Sequence, residues 1–329
     1  MSTFYLYAGF LAFVLLMLFA DLKLFHAEEK APSRKQSATW VAVWVSLAVA
    51  FGVIVYFWKG QTSAAEYFAG YLVEYSLSVD NMFVFLVVMS YFQVRPEHQH
   101  QVLFFGILGA IVFRGIFIAL GATLISEFEW IVYVFGVLLL YTAFRIVRGT
   151  AEVHPEDNPI LKLLKGRFRT TSKYDGQKLF TMENGKKVAT PLFVVLVIIE
   201  TTDIAFAVDS IPAIFAITRD PFIVLTSNVF AILGLRSLYF LLAGSIEKFH
   251  LLKYGLGIIL AFVGVKMLLS DVWHPPIALS LVVIAATLLI TAVASLLIEP
   301  KLSPDEVSAG AGVDELQSAD TSSKSPDRD

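Results

Sequence analysis

The sequence contains no cysteine. Disulfides, iron–sulfur clusters and thiol redox chemistry are therefore excluded from the chain itself, while the compartment stays open. Histidine is scarce: His26, His98, His100, His154, His250 and His274 are the only six. All are expected in connections or at helix ends, so no imidazole reaches the middle of a hydrophobic run, and haem, zinc and copper lose their usual ligands there. Charge is thin as well. Asp, Glu, Lys and Arg make up 16% of the chain, against about 25% in soluble domains. The formal net charge of −3 says nothing in favour of nucleic acid.

What is abundant is apolar sequence, at 57% of residues and a mean hydropathy of +0.71. Runs long enough to cross roughly 30 Å of hydrocarbon recur at 3–22, 38–58, 66–92, 101–125, 129–147, 190–217, 221–245, 251–271 and 275–298. The fold class is an all-α polytopic membrane protein with about nine transmembrane helices. Residues 1–26 lack a basic stretch before their apolar run, and that run is too long for a cleavable signal peptide. The 28 phenylalanines are expected to face lipid. The segment "HQHQ" at 98–101 is expected to be a solvated loop.

Orientation follows from Lys and Arg in the connections. Lys23, Lys30, Arg34 and Lys35 lie after the first span; eight Lys and Arg from Lys162 to Lys187 crowd the fifth connection. The even-numbered connections hold only Lys59 and Arg219. This places the N-terminus outside and the C-terminus in the cytoplasm, with Lys266 the one residue against the pattern. The basic fifth connection is taken as a topology determinant, not a nucleic-acid patch. The polar tail is expected to be disordered.

The sequence also repeats. "EYSLSVDN" (74–81) and "DIAFAVDS" (203–210) share an acid, a six-residue step and Val-Asp. "FGILG" (105–109) then matches "FAILG" (230–234), Arg114 and Arg236 follow, and "YVFGVLLLYTAFR" (133–145) aligns without a gap on "YGLGIILAFVGVK" (254–266). Each unit holds three spans, so the two must enter the membrane from opposite sides, as in transporters with inverted repeats and a midplane site at a broken helix. The expected organisation is two N-terminal helices with a basic loop (1–58), a first three-helix repeat (66–148), the basic loop (149–189), a second repeat (190–271), a last helix (275–298) and the tail (299–329). Pro212 is the expected break in the sixth span; in the third span an opening would come from Ser76, Ser78 and Asn81.

Three carboxylates in "ETTDIAFAVDS" (200–210) would cost about 8–10 kcal/mol facing lipid, so they must face something that needs negative charge. Glu74, Asp80, Glu200, Asp203 and Asp209, with Asn81, Ser210, Thr201 and Thr202, form a hard-oxygen set suited to magnesium, calcium or manganese(II). Arg114 and Arg236 are the expected counter-ions. Carboxylates without a partner in low dielectric hold protons, so a site exchanging protons for a divalent cation follows naturally. The bland alternatives are polar glue between helices for Asp80 and Asp209, and structural pairing with an arginine for Glu74 and Glu200. Asp21 and Glu66, at span ends, are taken as interface residues.

"EYSLSVDN" together with "ETTDIAFAVDSIPAIFAITRDPFIVLTSNVFAILGLRSLYFLL" resembles the TerC family of bacterial integral membrane proteins, closest to its Alx-like branch. The likeness runs from the first span to about residue 298. It implies export of manganese(II) as transported substrate across the bacterial inner membrane. It implies no tightly bound cofactor, no enzymatic activity and no catalytic residue. The family's acidic positions correspond to Glu74, Asp80, Asn81, Glu200, Asp203, Asp209 and Ser210. Thr201-Thr202 stands where Leu-Ser is common, and Thr202 keeps the hydroxyl. The family also carries a tellurium-resistance name and a redox-modulator label, which give the alternative: a membrane component without transport activity. Electron transfer needs a carrier, held by paired histidines, by cysteines or in a quinone pocket; the first two are absent, and the acids have no role in it. The implied partners are the metal cation and the lipid bilayer; no protein partner is indicated.

Overall fold

The computed structural model describes residues 3–25, 33–148, 170, 171, 173–183, 185–242, 251–273 and 275–298. The expected tail at 299–329 and most of the basic connection lie outside the described residues. Among the described residues ten helices and one hairpin follow in order: α1 (Thr3–Phe25), α2 (Arg34–Lys59), α3 (Gln61–Tyr91), α4 (Pro96–Glu127), α5 (Ile131–Val147), β1 (Phe180–Glu183), β2 (Lys186–Ala189), α6 (Pro191–Phe215), α7 (Pro221–Leu233), α8 (Leu235–Leu242), α9 (Leu252–Leu268) and α10 (Ile277–Leu297). Among the described residues six helical segments are long and apolar enough to cross a membrane: α2, α3, α4, α6, α7 with α8, and α10.

Local chemistry explains the ends. Ser33 and Gln36 cap each other at the start of α2, satisfying two of the donors a helix N-terminus leaves open. Pro96, Pro191 and Pro221 occupy the first turns of α4, α6 and α7, where no N–H is needed. Asp220 caps α7 by accepting from the Phe222 amide at 3.0 Å.

The outer surface of the helices is largely apolar, and the interior holds charged and polar groups within an apolar core. Leu16, Phe57, Val137 and Leu297 are exposed, whereas Glu74, Asn81, Arg114, Asp203, Asn228 and Arg236 are buried. That is the distribution a bilayer imposes, since charge in hydrocarbon must face the bundle interior. α7 and α8 are almost wholly enclosed and α10 almost wholly exposed. α3 lies between α7, α6 and α2, while α4 packs on α6 and α5 on α9.

Several expectations change here. α6 runs unbroken through Pro212, which removes its own ladder bond but whose carbonyl still accepts from the Ala216 amide at 3.0 Å. α3 is unbroken as well, and the Ser78 hydroxyl bonds Glu74 at 3.1 Å instead of opening the backbone. The interruption falls at Gly234, between α7 and α8, where a Cβ would stand 3.2 Å from Trp44 Cβ on α2. The phenylalanines are not all lipid-facing: Phe10, Phe222 and Phe230 are buried, and Phe51 and Phe230 meet at 4.8 Å. Residues 98–101 are helical, not a loop. His98 is buried and stacks on Tyr174 at 6.2 Å.

The end of the basic connection is also structured. β1 and β2 pair antiparallel, with Gly185 at φ 72° in the turn, a conformation glycine adopts without steric penalty. The Tyr174 hydroxyl donates to the Phe92 carbonyl, tying this connection to the turn between α3 and α4. Glu66, expected at the interface, is half-buried and accepts from the Thr218 hydroxyl at 2.7 Å. The side chain of Asp21 lies outside the described ones.

The seam between α5 and α9 is built on glycine. A Cβ at Gly264 would stand 3.0 Å from the Gly136 carbonyl oxygen and one at Gly136 would stand 3.1 Å from the Gly264 carbonyl oxygen. Backbone cannot step aside, so Gly264→Leu is expected to cost about 1–3 kcal/mol by over-packing. It should melt measurably below wild type in detergent. Gly9→Leu, with open space at its Cβ, should melt with wild type.

Candidate functional site

The sequence places Glu66, Glu74 and Asp80 on α3 and Glu200, Asp203 and Asp209 on α6, and the fold brings these helices together against α4 and α7. At their junction stands Arg114 of α4. Its Nη2 donates to Asp203 Oδ1 at 2.8 Å and its Nε to Asp203 Oδ2 at 3.1 Å, a two-pronged grip on one carboxylate. Its Nη1 donates to Glu74 and, at 3.3 Å, to Asn228 Oδ1. Asn228 Nδ2 in turn donates to Glu74 Oε2 at 3.0 Å. Arg114, Glu74, Asp203, Asn228 and Ser78 are each at most 4% exposed.

The geometry fits the chemistry of each group. A planar guanidinium matches a carboxylate with two parallel N–H donors, which a lysine could not do. Burial strips water from all three charges, so each depends on its partners for hydrogen bonds. Two carboxylates against one guanidinium leave the cluster with one net negative charge.

The other expected site residues go elsewhere. Asp209 lies six residues beyond Asp203 on α6, about 240° around the helix. It therefore turns to α5, where it accepts from the Thr142 hydroxyl at 2.8 Å. Glu200, one turn before Asp203, is half-buried against α4 at Gly109, where a Cβ would overlap its carboxylate. Its Oε2 has no hydrogen-bond partner among the described residues. Asn81 Nδ2 and Ser210 Oγ are likewise buried without one. Thr201 and Thr202 bond backbone carbonyls of the preceding turn. Arg236 is buried at the start of α8. Asp80 lies on α3, and its side chain falls outside the described ones.

Among the described residues, no three of His, Asp and Glu stand close enough to hold one ion. Glu74 and Asp203 converge on Arg114, Asp209 turns to Thr142 and Glu200 to Gly109, and the side chain of Asp80 is outside the described ones. Sequence reasoning missed Asn228 and Thr142. For Asn228 a signal existed, an amide inside the run "LTSNVFAIL" that a span keeps only when it is paired. Thr142 gave none, because threonine satisfies itself in any helix by bonding the preceding turn.

A family model described as "Integral membrane protein TerC family" matches residues 59–303. The chain is 47% identical over 293 residues to a membrane protein of Myxococcus xanthus, covering 89% of this chain and 92% of that one. It is 47% identical over 296 residues to an Escherichia coli protein with the provisional name membrane-bound redox modulator Alx, covering 87% and 92%. A membrane protein of Rickettsia bellii is 38% identical over 291 residues, covering 88% and 96%. No solved structure matches.

Proposed function

Because the chain belongs to the TerC family of integral membrane proteins, we propose that it is a divalent-cation transporter that exports manganese(II) across the bacterial inner membrane. The observation that carries this reading is the meeting of Glu74 and Asp203, from two different membrane helices, at one buried arginine. Such a cluster has a large desolvation cost and is a weak source of net stability, so a role in moving charge accounts for it better than glue. The substrate is a hard cation met by oxygen ligands, which suits manganese(II). Asp80, Asn81, Asp209 and Ser210 join Glu74 and Asp203 as proposed ligands, with Glu200 as a further acid beside them and Arg114 and Arg236 as counter-ions.

The proposed architecture is nine crossings, N-terminus outside and C-terminus in the cytoplasm, with inverted repeats at 66–148 and 190–271. The packing supports it: α3 lies on α7 as α6 lies on α4, the exchange expected of a two-fold. The motif alignment equates Gly136 with Gly257 and Ala143 with Gly264. In the fold Gly136 meets Gly264, and Gly257 faces the Ala143 carbonyl at 3.5 Å. Reporter fusions at Gly176 and Arg219 are expected to score on opposite sides of the membrane. The same side for both would end the inverted repeat.

The name of the Escherichia coli relative favours a second reading, a redox modulator without transport. Cellular manganese under manganese load separates the two. Expression should lower it several-fold, and Asp203→Asn should not. Unchanged manganese with the protein inserted would leave the redox reading standing.

A further inference from the structure

We infer that Arg114 is a built-in competitor of the transported cation, an internal charge that must leave Glu74 and Asp203 before a metal ion can take its place. The inference rests on the transporter reading above and adds how its site is kept closed. Three observations carry it.

The first is occupancy. Arg114 spends its Nη1, Nη2 and Nε on the two carboxylates, and Asn228 fills the remaining side by bridging Arg114 and Glu74. A divalent ion needs carboxylate oxygens at about 2.0–2.6 Å, and in this arrangement those oxygens are committed to N–H donors. The second is charge. With the guanidinium in place the cluster carries one net negative charge; with it withdrawn, Glu74 and Asp203 carry two, which a divalent ion neutralises. Exchanging arginine for metal thus keeps the buried charge small in both states.

The third is a place for the arginine to go. Glu200 stands one turn from Asp203 on α6 and packs on the same helix, α4, that carries Arg114. Its Oε2 is buried with no hydrogen-bond partner among the described residues. A long side chain on α4 leans toward the helix N-terminus, the end on which Gly109 lies, and Asp203, which Arg114 already holds, is one turn from Glu200 on α6. Glu200 is the receiving acid: it takes the guanidinium while the ion sits on Glu74 and Asp203. A competitor of this kind reduces apparent affinity by the fraction of time the site is open.

The test is manganese(II) binding to the purified full-length protein in detergent, at one alkaline pH to keep proton competition small. Arg114→Gln is expected to bind manganese(II) roughly tenfold tighter than wild type, as for a site otherwise open about a tenth of the time. Glu200→Gln should bind more weakly, because the arginine has lost its second seat. In the Arg114→Gln background, Glu200→Gln should change nothing further. Should Arg114→Gln fail to fold, Arg114→Lys and Asn228→Ala keep the question open to measurement, and each should tighten binding several-fold by loosening the grip on the carboxylates.

A structural clamp predicts the reverse for all three, weaker binding or none. Weaker or equal binding in Arg114→Lys and Asn228→Ala, with Asp209→Asn still abolishing it, would overturn the competitor and leave the transporter reading intact. A Glu200→Gln defect that persists without Arg114 would make Glu200 a direct ligand and overturn the relay. No manganese(II) binding by wild type would remove the transporter reading and the inference together.

Discussion

Asp203→Leu is expected to abolish manganese export and to destabilise the protein by about 3–5 kcal/mol, the cost of breaking a buried ion pair from one side. Arg114 donates two of its hydrogen bonds to this one carboxylate, at 2.8 and 3.1 Å, and is 1% exposed. Without Asp203 the guanidinium keeps Glu74 and Asn228 but loses the two-pronged match, and no water reaches it. The combined change Arg114→Met, Asp203→Leu and Glu74→Gln, which leaves no buried charge without a partner, should recover most of the stability. Apolar residues of similar volume often replace a buried pair without loss, and the amide put in place of Glu74 still accepts from Asn228 and Ser78. Export should stay absent in this variant. Thermal melting in detergent reads the first quantity and manganese retention in loaded cells the second. If Asp203→Leu melts with wild type, the cluster does not hold these helices together.

How legible this was depends on which force sets each feature. Hydrophobic runs mark helices because lipid leaves no other way to satisfy backbone groups, and α2, α4 and α6 fall where their runs predict. The acids were legible for the same reason, since Glu74, Asp203 and Asp209 are too expensive to keep without a purpose. Partner choice was not. Charge counting set five carboxylates against two arginines as a shared balance, whereas Arg114 commits itself to Glu74 and Asp203 and Asp209 turns to Thr142. That division follows from helical rotation over six residues and from which neighbour lies there, and the second depends on tertiary packing. The proline signal misled because one lost ladder bond does not by itself end a helix. α6 continues through Pro212, and the interruption falls instead at Gly234, where the backbone passes close to Trp44, a residue nearly two hundred positions away.

Asp209→Asn is expected to abolish manganese export while leaving stability close to wild type, the opposite balance from Asp203. Asp209 is half-buried, not enclosed, and its carboxylate accepts from a threonine hydroxyl at 2.8 Å. A neutral hydroxyl is a weaker partner than a guanidinium, because hydrogen bonds between neutral and charged groups fall short of those between two ions. A divalent cation can therefore displace Thr142 from Asp209 far more easily than it can displace Arg114 from Asp203, which makes Asp209 the readier ligand. Asparagine has the same shape and still offers an oxygen to Thr142, so the packing of α6 on α5 survives. What it lacks is the charge that holds a hard cation. Expression in manganese-loaded cells should then leave metal at the level of cells without the protein, at least tenfold less export by initial rate, with unchanged membrane abundance and melting. Thr142→Val, which removes the competing hydroxyl and keeps the ion's ligand, should reduce export no more than a few-fold. Full export by Asp209→Asn would exclude this carboxylate from the cation's path and confine the site to the cluster around Arg114.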